Sequence, residues 1–575
     1  DPPAPGMTAH VRPLCNHHVS SAPPWLLGLA MGDNRPAMHE RHPEGVRHAV
    51  ASPARWAAGT AAILLAHAVW LIWNRVPPAW DMAYHQLMGW RIAQQIATGN
   101  LAVLLQGASD YYPPLYHVWE AVLYLLTGAV PWIAGPANLP GLLLLSYCTY
   151  RLTARVIPED AAVPAGHLVL LFPLVAWTSR ESLVDPSLAG VTAVTLLWFL
   201  RLLENPSRCR AIAFGLVTAA GCWLKWTFPL FLVGPAAAAL YLTKDRRGLC
   251  LRLLDAALVA APVIGLWYLP RLADLQIRFA ETAGAAAWEG DPAWYTPAGI
   301  LYYPRVLSGY YLFLPLTLLA VGALVLQRRR SAVGRASSGY VVLLAALVGG
   351  WVLLTLLPAK DPRYVMPLAV PLAAWLVVLL FPRPRLRAVF MVTAVMQFLS
   401  ASFMPPLKVG LFGCADPCHY RNTAREWVWF STHYSCVLGA PRREDWSYDR
   451  LIDTLAGGGP VGFVPEHPRF HVGALQLAGE QAGGSISAFR LGIDDTWPQE
   501  LARARWVVGK NGDQGVDVLT RYNQEIYDAL EVLEWPVADE WNLPDGSRAM
   551  VWRNPSRAPS PLPAAAAPPD DSVER

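Results

Sequence analysis

The residue best placed for chemistry is Asp81, in the stretch Pro77-Pro78-Ala79-Trp80-Asp81-Met82-Ala83-Tyr84-His85 that follows the first long hydrophobic run. Just beyond a membrane helix a carboxylate is hydrated enough to ionise yet near enough to reach a lipid head group, a position that suggests catalysis. The alternative reading is structural, because an aspartate in a first helical turn caps the helix and complements its dipole. Downstream, Ala83, Leu87, Trp90, Ala93 and Ile96 recur at spacings of three and four, the mark of a helix lying along the membrane interface. Such a helix anchors Asp81 beside the bilayer. Arg91, Asp110 and then Tyr111-Tyr112-Pro113-Pro114-Leu115-Tyr116-His117 complete this polar segment, the prolines suiting the first turn of the next helix.

Other polar clusters interrupt the apolar runs. Thr178-Ser179-Arg180-Glu181-Ser182-Leu183-Val184-Asp185-Pro186 sets three ionisable groups within six residues. Charges so near hydrocarbon are costly, which makes function the first reading and a set of paired, solvated loop charges the second. Lys225, in Trp223-Leu224-Lys225-Trp226-Thr227, lies at the junction of two apolar runs, where a lone lysine reads first as a snorkelling side chain. Pro358-Ala359-Lys360-Asp361-Pro362-Arg363-Tyr364-Val365-Met366-Pro367 holds Lys360 and Arg363 three apart at a helix entrance between prolines. That is a fixed cationic pocket, and phosphate is its natural anion. Trp288, Trp294, Tyr295, Tyr302, Tyr303, Tyr310 and Tyr311 read as an interfacial aromatic belt, with sugar stacking as the alternative.

The elements that must carry these residues follow from composition. Hydrophobic residues make up 54% of the 575 and charged residues 15%, with a mean hydropathy of +0.29, whereas soluble domains carry about 25% charged residues. Against the roughly 20 residues needed per crossing, the candidate spans are 56–74, 114–133, 137–153, 161–178, 187–203, 211–226, 227–243, 251–270, 309–327, 338–357, 364–381 and 388–405. The fold class expected is an all-α polytopic membrane protein of about 11–13 transmembrane helices, followed by a small α/β extracytoplasmic domain.

Basic residues cluster in the short loops at Arg151/Arg155, Arg208/Arg210, Lys244/Arg246/Arg247/Arg252, Arg328/Arg329/Arg330/Arg335 and Arg383/Arg385/Arg387. The positive-inside rule puts these in the cytoplasm and every polar cluster above on the opposite face. Two spans between 114 and 153 would return Arg151 to the outside, so either one of them is re-entrant or a further crossing lies between 137 and 178. The net charge of +4 forms no patch for nucleic acid, which is excluded as a partner. Residues 1–54 read as a disordered cytoplasmic tail, 56–405 as the membrane domain, 406–556 as the outer domain and 557–575 as a Pro/Ala-rich disordered tail. In the outer domain, 461–465 and 505–508 read as buried strands and 472–481 and 516–533 as helical stretches. Cys414, Cys418 and Cys436 allow one disulfide there, and His419 and His433 leave a weak zinc alternative open.

Taken in order, the acidic first loop, Tyr112-Pro113-Pro114-Leu115-Tyr116, Arg180-Glu181 with Asp185, Lys225-Trp226-Thr227 and Lys360-Asp361-Pro362-Arg363-Tyr364 resemble the C-type glycosyltransferases. More narrowly, residues 56–405 are similar to the bacterial relatives of dolichyl-phosphate-mannose protein mannosyltransferases and of the lipid A aminoarabinose transferase. The resemblance implies a transferase that takes a sugar from a polyprenyl-phosphate carrier and passes it, with inversion, to a protein, lipid or glycan acceptor outside the bacterial cytoplasmic (inner) membrane. It implies Asp81 as general base or substrate-positioning acid, Asp185 as the second catalytic carboxylate, and Lys360 and Arg363 as phosphate ligands. Around them His85, Tyr112, His117, Arg180, Glu181, Lys225 and Tyr364 are the candidate substrate contacts. Many relatives have Asp-Glu where this chain has Asp81-Met82, which weakens a two-carboxylate metal site; Asp81 and His85, four apart, keep a divalent cation open as cofactor. The rival reading is a polytopic transporter or flippase of a lipid-linked sugar, whose charges would gather near the membrane midplane.

Overall fold

The computed structural model describes residues 43–109, 111–288, 290–328, 337–404, 439–484, 486–516 and 519–557. Asp110, the three cysteines at 414, 418 and 436, and His419 and His433 lie outside the described residues. Among the described residues seven helices are long and apolar enough to cross a membrane, the first Ser52–Trp73 and the last Pro384–Phe403, and a shorter apolar helix spans Leu230–Leu242. A five-stranded sheet follows. This is an integral membrane protein with a small α/β unit at its C-terminal end.

The bundle has two distinct ends. At one, Arg55 pairs with Asp160 at 2.5 Å, Arg151 with Glu159 at 2.7 Å, and Arg155 with Glu204. Arg210 donates to the Arg201 carbonyl there at 2.7 Å. At the other end lie the segments 179–184, 225–229 and 357–364, and the α/β unit docks onto it.

The region between 114 and 153, drawn from sequence as two spans, holds one helix that runs between the two ends. The helix Leu115–Thr127 is only 13 residues long and lies beside the helix Trp80–Ala97: the His85 and His117 rings are 5.0 Å apart and those of Trp90 and Tyr124 5.3 Å apart. It therefore runs with the interfacial helix and does not traverse. The helix Ala134–Thr153 instead runs along the bundle and places Arg151, in its last turn, at the basic end. The expected span 161–178 is broken: Phe172, extended at φ −63° and ψ 130°, separates Glu159–Leu171 from Pro173–Thr178. Pro173 causes the break, since the residue before a proline is driven out of the helical region.

Ala134–Thr153 and Asp185–Glu204 approach so closely that a Cβ on Gly190 would come within 2.4 Å of the Gly141 carbonyl oxygen. Small residues at this crossing let the backbones pack directly, the usual device between membrane helices. One consequence concerns the loop between them. The Asn138 side chain donates to the backbone carbonyl of Glu181 at 2.7 Å, fixing the turn that precedes Asp185.

The sheet of the outer unit consists of β1 (Val461–Phe463), β2 (Ala488–Arg490), β3 (Trp506–Lys510), β4 (Val537–Asn542) and β5 (Arg548–Arg553). Their order is β2-β1-β3-β5-β4. β1 is parallel to both β2 and β3, and β5 is antiparallel to β3 and β4. The helix Val472–Gln481 coincides with the stretch read from sequence, while the second expected helix is confined to Asn523–Val532. The first of these helices lies on Trp80–Ala97, with Leu87 and Met88 packed against Leu477 and Arg91 bonded to Glu480 at 2.6 Å.

Candidate active site

A cavity of about 470 Å³ opens between the membrane bundle and the outer unit. Its wall holds Asp81, Trp177, Tyr302, Tyr310, Lys360, Asp361, Arg363 and Tyr364 from the bundle, Asp291 from the loop above, and Glu466, Val516 and Leu519 from the outer unit.

Arg363 organises the polar side. Its Nε donates to Asp361 Oδ2 at 2.9 Å and its Nη2 to the same oxygen at 2.6 Å. The same Nη2 donates to Asp81 Oδ2 at 2.8 Å. Asp361 is locked further, because its Oδ1 accepts the Arg363 backbone N–H at 2.7 Å and caps the helical turn Pro362–Leu368. Burial alone would raise the Asp361 carboxyl, but the Arg363 guanidinium prevails and holds it below the usual carboxylate range. The Asp81 side chain is 45% exposed and, among the described residues, is paired with Arg363.

Lys360 lines the cavity, but its ammonium turns toward the end of the helix Ser338–Leu356, donating to the Thr355 carbonyl at 2.7 Å and to that of Leu357. Its backbone N–H donates to Asp291 Oδ2 at 2.7 Å, and its carbonyl accepts the Tyr302 hydroxyl at 3.1 Å. Burial lowers the Lys360 ammonium, with Asp291 opposing.

Asp185 and Lys225 form a buried pair at 2.9 Å, their side chains 2% and 7% exposed. Lys225 therefore does not snorkel: its ammonium is held inside, 5.1 Å from the centre of the Tyr364 ring. Neither residue lines the cavity. His85 and His117 are also set back from it, their Nδ1 and Nε2 atoms 2.8 Å apart, with the Tyr112 ring centre 4.6 Å from that of His85. Asp81 is bonded to Arg363 and His85 to His117. Among the described residues no group of three or more His, Cys, Asp or Glu is arranged to hold a metal.

Arg180 and Glu181 diverge from the cavity. Arg180 lies over the Trp70 ring at 4.6 Å and donates to the Ser402 hydroxyl. Glu181 Oε1 lies 3.7 Å from Nη1 of Arg469 in the outer unit. Burial pushes the Glu181 carboxyl up to about 7 although Arg469 draws it down. These loop charges are neither solvated nor aimed at the cavity: Arg180 stays within the bundle, and Glu181 faces the outer unit.

The aromatic set divides in the same way. Trp294 and Tyr295 are exposed at 52% and 69%, as a belt requires. Tyr302, Tyr303, Tyr310 and Tyr311 are buried, and two of them line the cavity. Sequence reasoning passed over Asp291, Trp177 and Glu466. Asp361 stood inside a quoted motif without a role. The signal available for Glu466 was its place directly after the strand read at 461–465, in Phe463-Val464-Pro465-Glu466-His467-Pro468.

Trp80, the neighbour of Asp81, has φ +23°, the left-handed side for a residue with a side chain. Its backbone N–H donates to His471 Nε2 at 3.0 Å and its indole Nε1 to the Glu466 carbonyl at 3.2 Å. The outer unit thus holds the turn that presents Asp81 in a conformation it would not otherwise favour.

A polytopic bundle with an interfacial helix, and the Asp81–Arg363 pair beneath an α/β unit, is an architecture this chain shares with a solved membrane protein. The chain is similar in structure to ArnT from Cupriavidus metallidurans bound to undecaprenyl phosphate, at a TM-score of 0.53 and 14% identity over 86% of this chain and 97% of that one. It matches the apo state of the same protein at a TM-score of 0.54 and 16% identity, over 87% and 98%. No protein-family model matches the chain, and no curated protein does.

Proposed function

We propose that this chain is a glycosyltransferase that moves a sugar from a polyprenyl-phosphate carrier to an acceptor on the outer side of the bacterial cytoplasmic membrane, with inversion. The observation that carries the reading is the Arg363–Asp81 contact of 2.8 Å inside the cavity. It joins a carboxylate suited to act as base with a guanidinium suited to bind phosphate. The similarity to an ArnT solved with undecaprenyl phosphate supports the carrier class, and Arg151, Arg155 and Arg210 at the far end of the bundle support the sidedness.

The chemistry follows from exchange of partners. The carrier phosphate competes with Asp81 for Arg363, and planar bidentate binding favours the phosphate. Asp81, released from the guanidinium, becomes available to accept the proton of an acceptor hydroxyl. The acceptor oxygen attacks the anomeric carbon from the face opposite the phosphate, and the bond from that carbon to the phosphate oxygen breaks. Its electron pair leaves on the polyprenyl phosphate, where Arg363, and Lys360 once turned from its carbonyls, stabilise the added charge. Asp361 keeps Arg363 in place throughout.

Binding of undecaprenyl phosphate to the purified chain in lipid nanodiscs tests this. Loss of a charge-assisted contact costs roughly 1.5–3 kcal/mol, so Arg363→Ala should weaken binding by about 10-fold to 150-fold. Arg363→Lys should fall between, because a point charge cannot reproduce the planar fork. Wild-type affinity in a folded Arg363→Ala protein would remove Arg363 from the carrier site.

A further inference from the structure

One edge of the outer unit's sheet faces the cavity, through Glu466, Val516 and Leu519. In an open α/β sheet, ligands bind outside the carboxyl ends of the strands at the point where strand order reverses. Here β1 leads through the helix Val472–Gln481 to β2 on one side, and the chain then passes back to β3 on the other. The reversal lies between β1 and β3. The segment after β1 carries Glu466, and the segment after β3 carries Gly515, Val516 and Leu519.

These two segments are joined and fixed. The Glu466 N–H donates to the Gln514 carbonyl at 2.8 Å, and Glu466 pairs with Gly515 in an isolated parallel bridge. Gly515, at φ +105°, is required there, since a Cβ would lie 2.0 Å from the Glu466 carbonyl oxygen. On its other side Glu466 accepts the Trp80 indole N–H, so it is tied to the residue that precedes Asp81.

The Glu466 side chain is 10% exposed, and its Oε2 lies 3.3 Å from Arg490 Nε. Burial raises this carboxyl, Arg490 lowers it, and Asp81 across the cavity raises it again. A carboxylate so buried, next to the apolar side chains of Val516 and Leu519 in the same wall, suits an amphipathic ligand. A saccharide is one: its C–H faces pack on apolar side chains while its hydroxyls donate to the carboxylate.

Resting on the carrier reading above, we propose that Glu466, with Val516 and Leu519, forms a saccharide subsite contributed by the outer unit, and that Glu466 accepts a hydroxyl of either the transferred sugar or the acceptor. The outer unit is then part of the active site and not a passive cover.

The test uses the full chain expressed in a strain lacking it, with product formation followed in membrane vesicles by mass spectrometry of envelope glycans and lipids, and undecaprenyl phosphate binding measured on the purified proteins. Glu466→Gln keeps size and removes charge. It should bind undecaprenyl phosphate like the wild type yet form product about 10-fold more slowly, in the range of one lost contact to a charged group. Restoration by excess donor-lipid extract assigns the hydroxyl to the transferred sugar; restoration by excess acceptor extract assigns it to the acceptor. Val516→Trp, which narrows the same wall without touching the Glu466 pair, should produce the same pattern and serves where Glu466→Gln does not fold. Wild-type product formation by either folded variant overturns the subsite alone, whereas failure of the wild type itself to bind undecaprenyl phosphate overturns the carrier reading.

Discussion

Arg363 meets two carboxylates, and they are not equivalent. Asp361 is held by backbone and side chain and is 17% exposed, whereas Asp81 meets the guanidinium through its Oδ2 alone and is 45% exposed. The exchangeable partner is therefore Asp81, which is what a base that must be released on substrate binding requires. Asp81→Asn preserves size and much of the hydrogen bonding but removes charge and basicity. A positioned base contributes about 10²–10⁴-fold, and transfer should fall by that order while detergent elution stays that of the folded protein. Asp81→Glu, displaced by one methylene, should lie between. A folded Asn variant with wild-type transfer returns Asp81 to helix capping. At this scale Asp81, Lys360, Arg363 and Tyr364 were legible because polar groups beside long apolar runs are conspicuous. Asp291 and Glu466 were not, because each lies in an ordinary polar loop and gains meaning only where distant segments meet.

The elements show why some charges near the site do not enter it. Asp185 opens the helix Asp185–Glu204, Lys225 closes Arg208–Leu224, and their pair ties the two helix ends together. Removing one member of a buried pair leaves the other uncompensated at a cost of about 3–5 kcal/mol, while replacing both with neutral residues is often tolerated. Asp185→Asn and Lys225→Met should each lower thermal stability sharply, and the double variant should recover most of the loss. If the single variants melt like the wild type but transfer nothing, Asp185 is a catalytic carboxylate as the family resemblance implies. Adjacent polar letters misled in this region: Arg180, Glu181 and Asp185 are neighbours in sequence but point to Ser402, Arg469 and Lys225. The apolar run at 114–133 misled for a different reason. Composition does not distinguish a crossing from an interfacial helix whose Leu125 and Leu126 face outward, 46% and 76% exposed.

At the scale of the molecule, the distribution of charge separates the transferase from the transporter reading. The cavity groups lie at one end of the bundle under the outer unit, which is fastened there by Trp70 Nε1 to the Gly439 carbonyl at 2.8 Å and by Arg91 to Glu480. Arg55, Arg151 and Arg155 lie at the other end, paired with Asp160, Glu159 and Glu204. A carrier would hold its ionisable groups near the midplane between two gates, whereas a transferase needs one cavity open to one compartment. This arrangement makes the sidedness testable independently of activity. By the positive-inside rule, a reporter that works only in the cytoplasm should be bright when fused after Lys244 and dark when fused after Ser556. An export-dependent reporter at the same two positions should give the reverse. Ser556 follows the last strand of the outer unit, so its signal reports that unit, and Lys244 lies between two apolar helices at the basic end. A bright cytoplasmic signal after Ser556 would put Asp81, Arg363 and Glu466 on the cytoplasmic face, and the proposed outer-side transfer would fall with it.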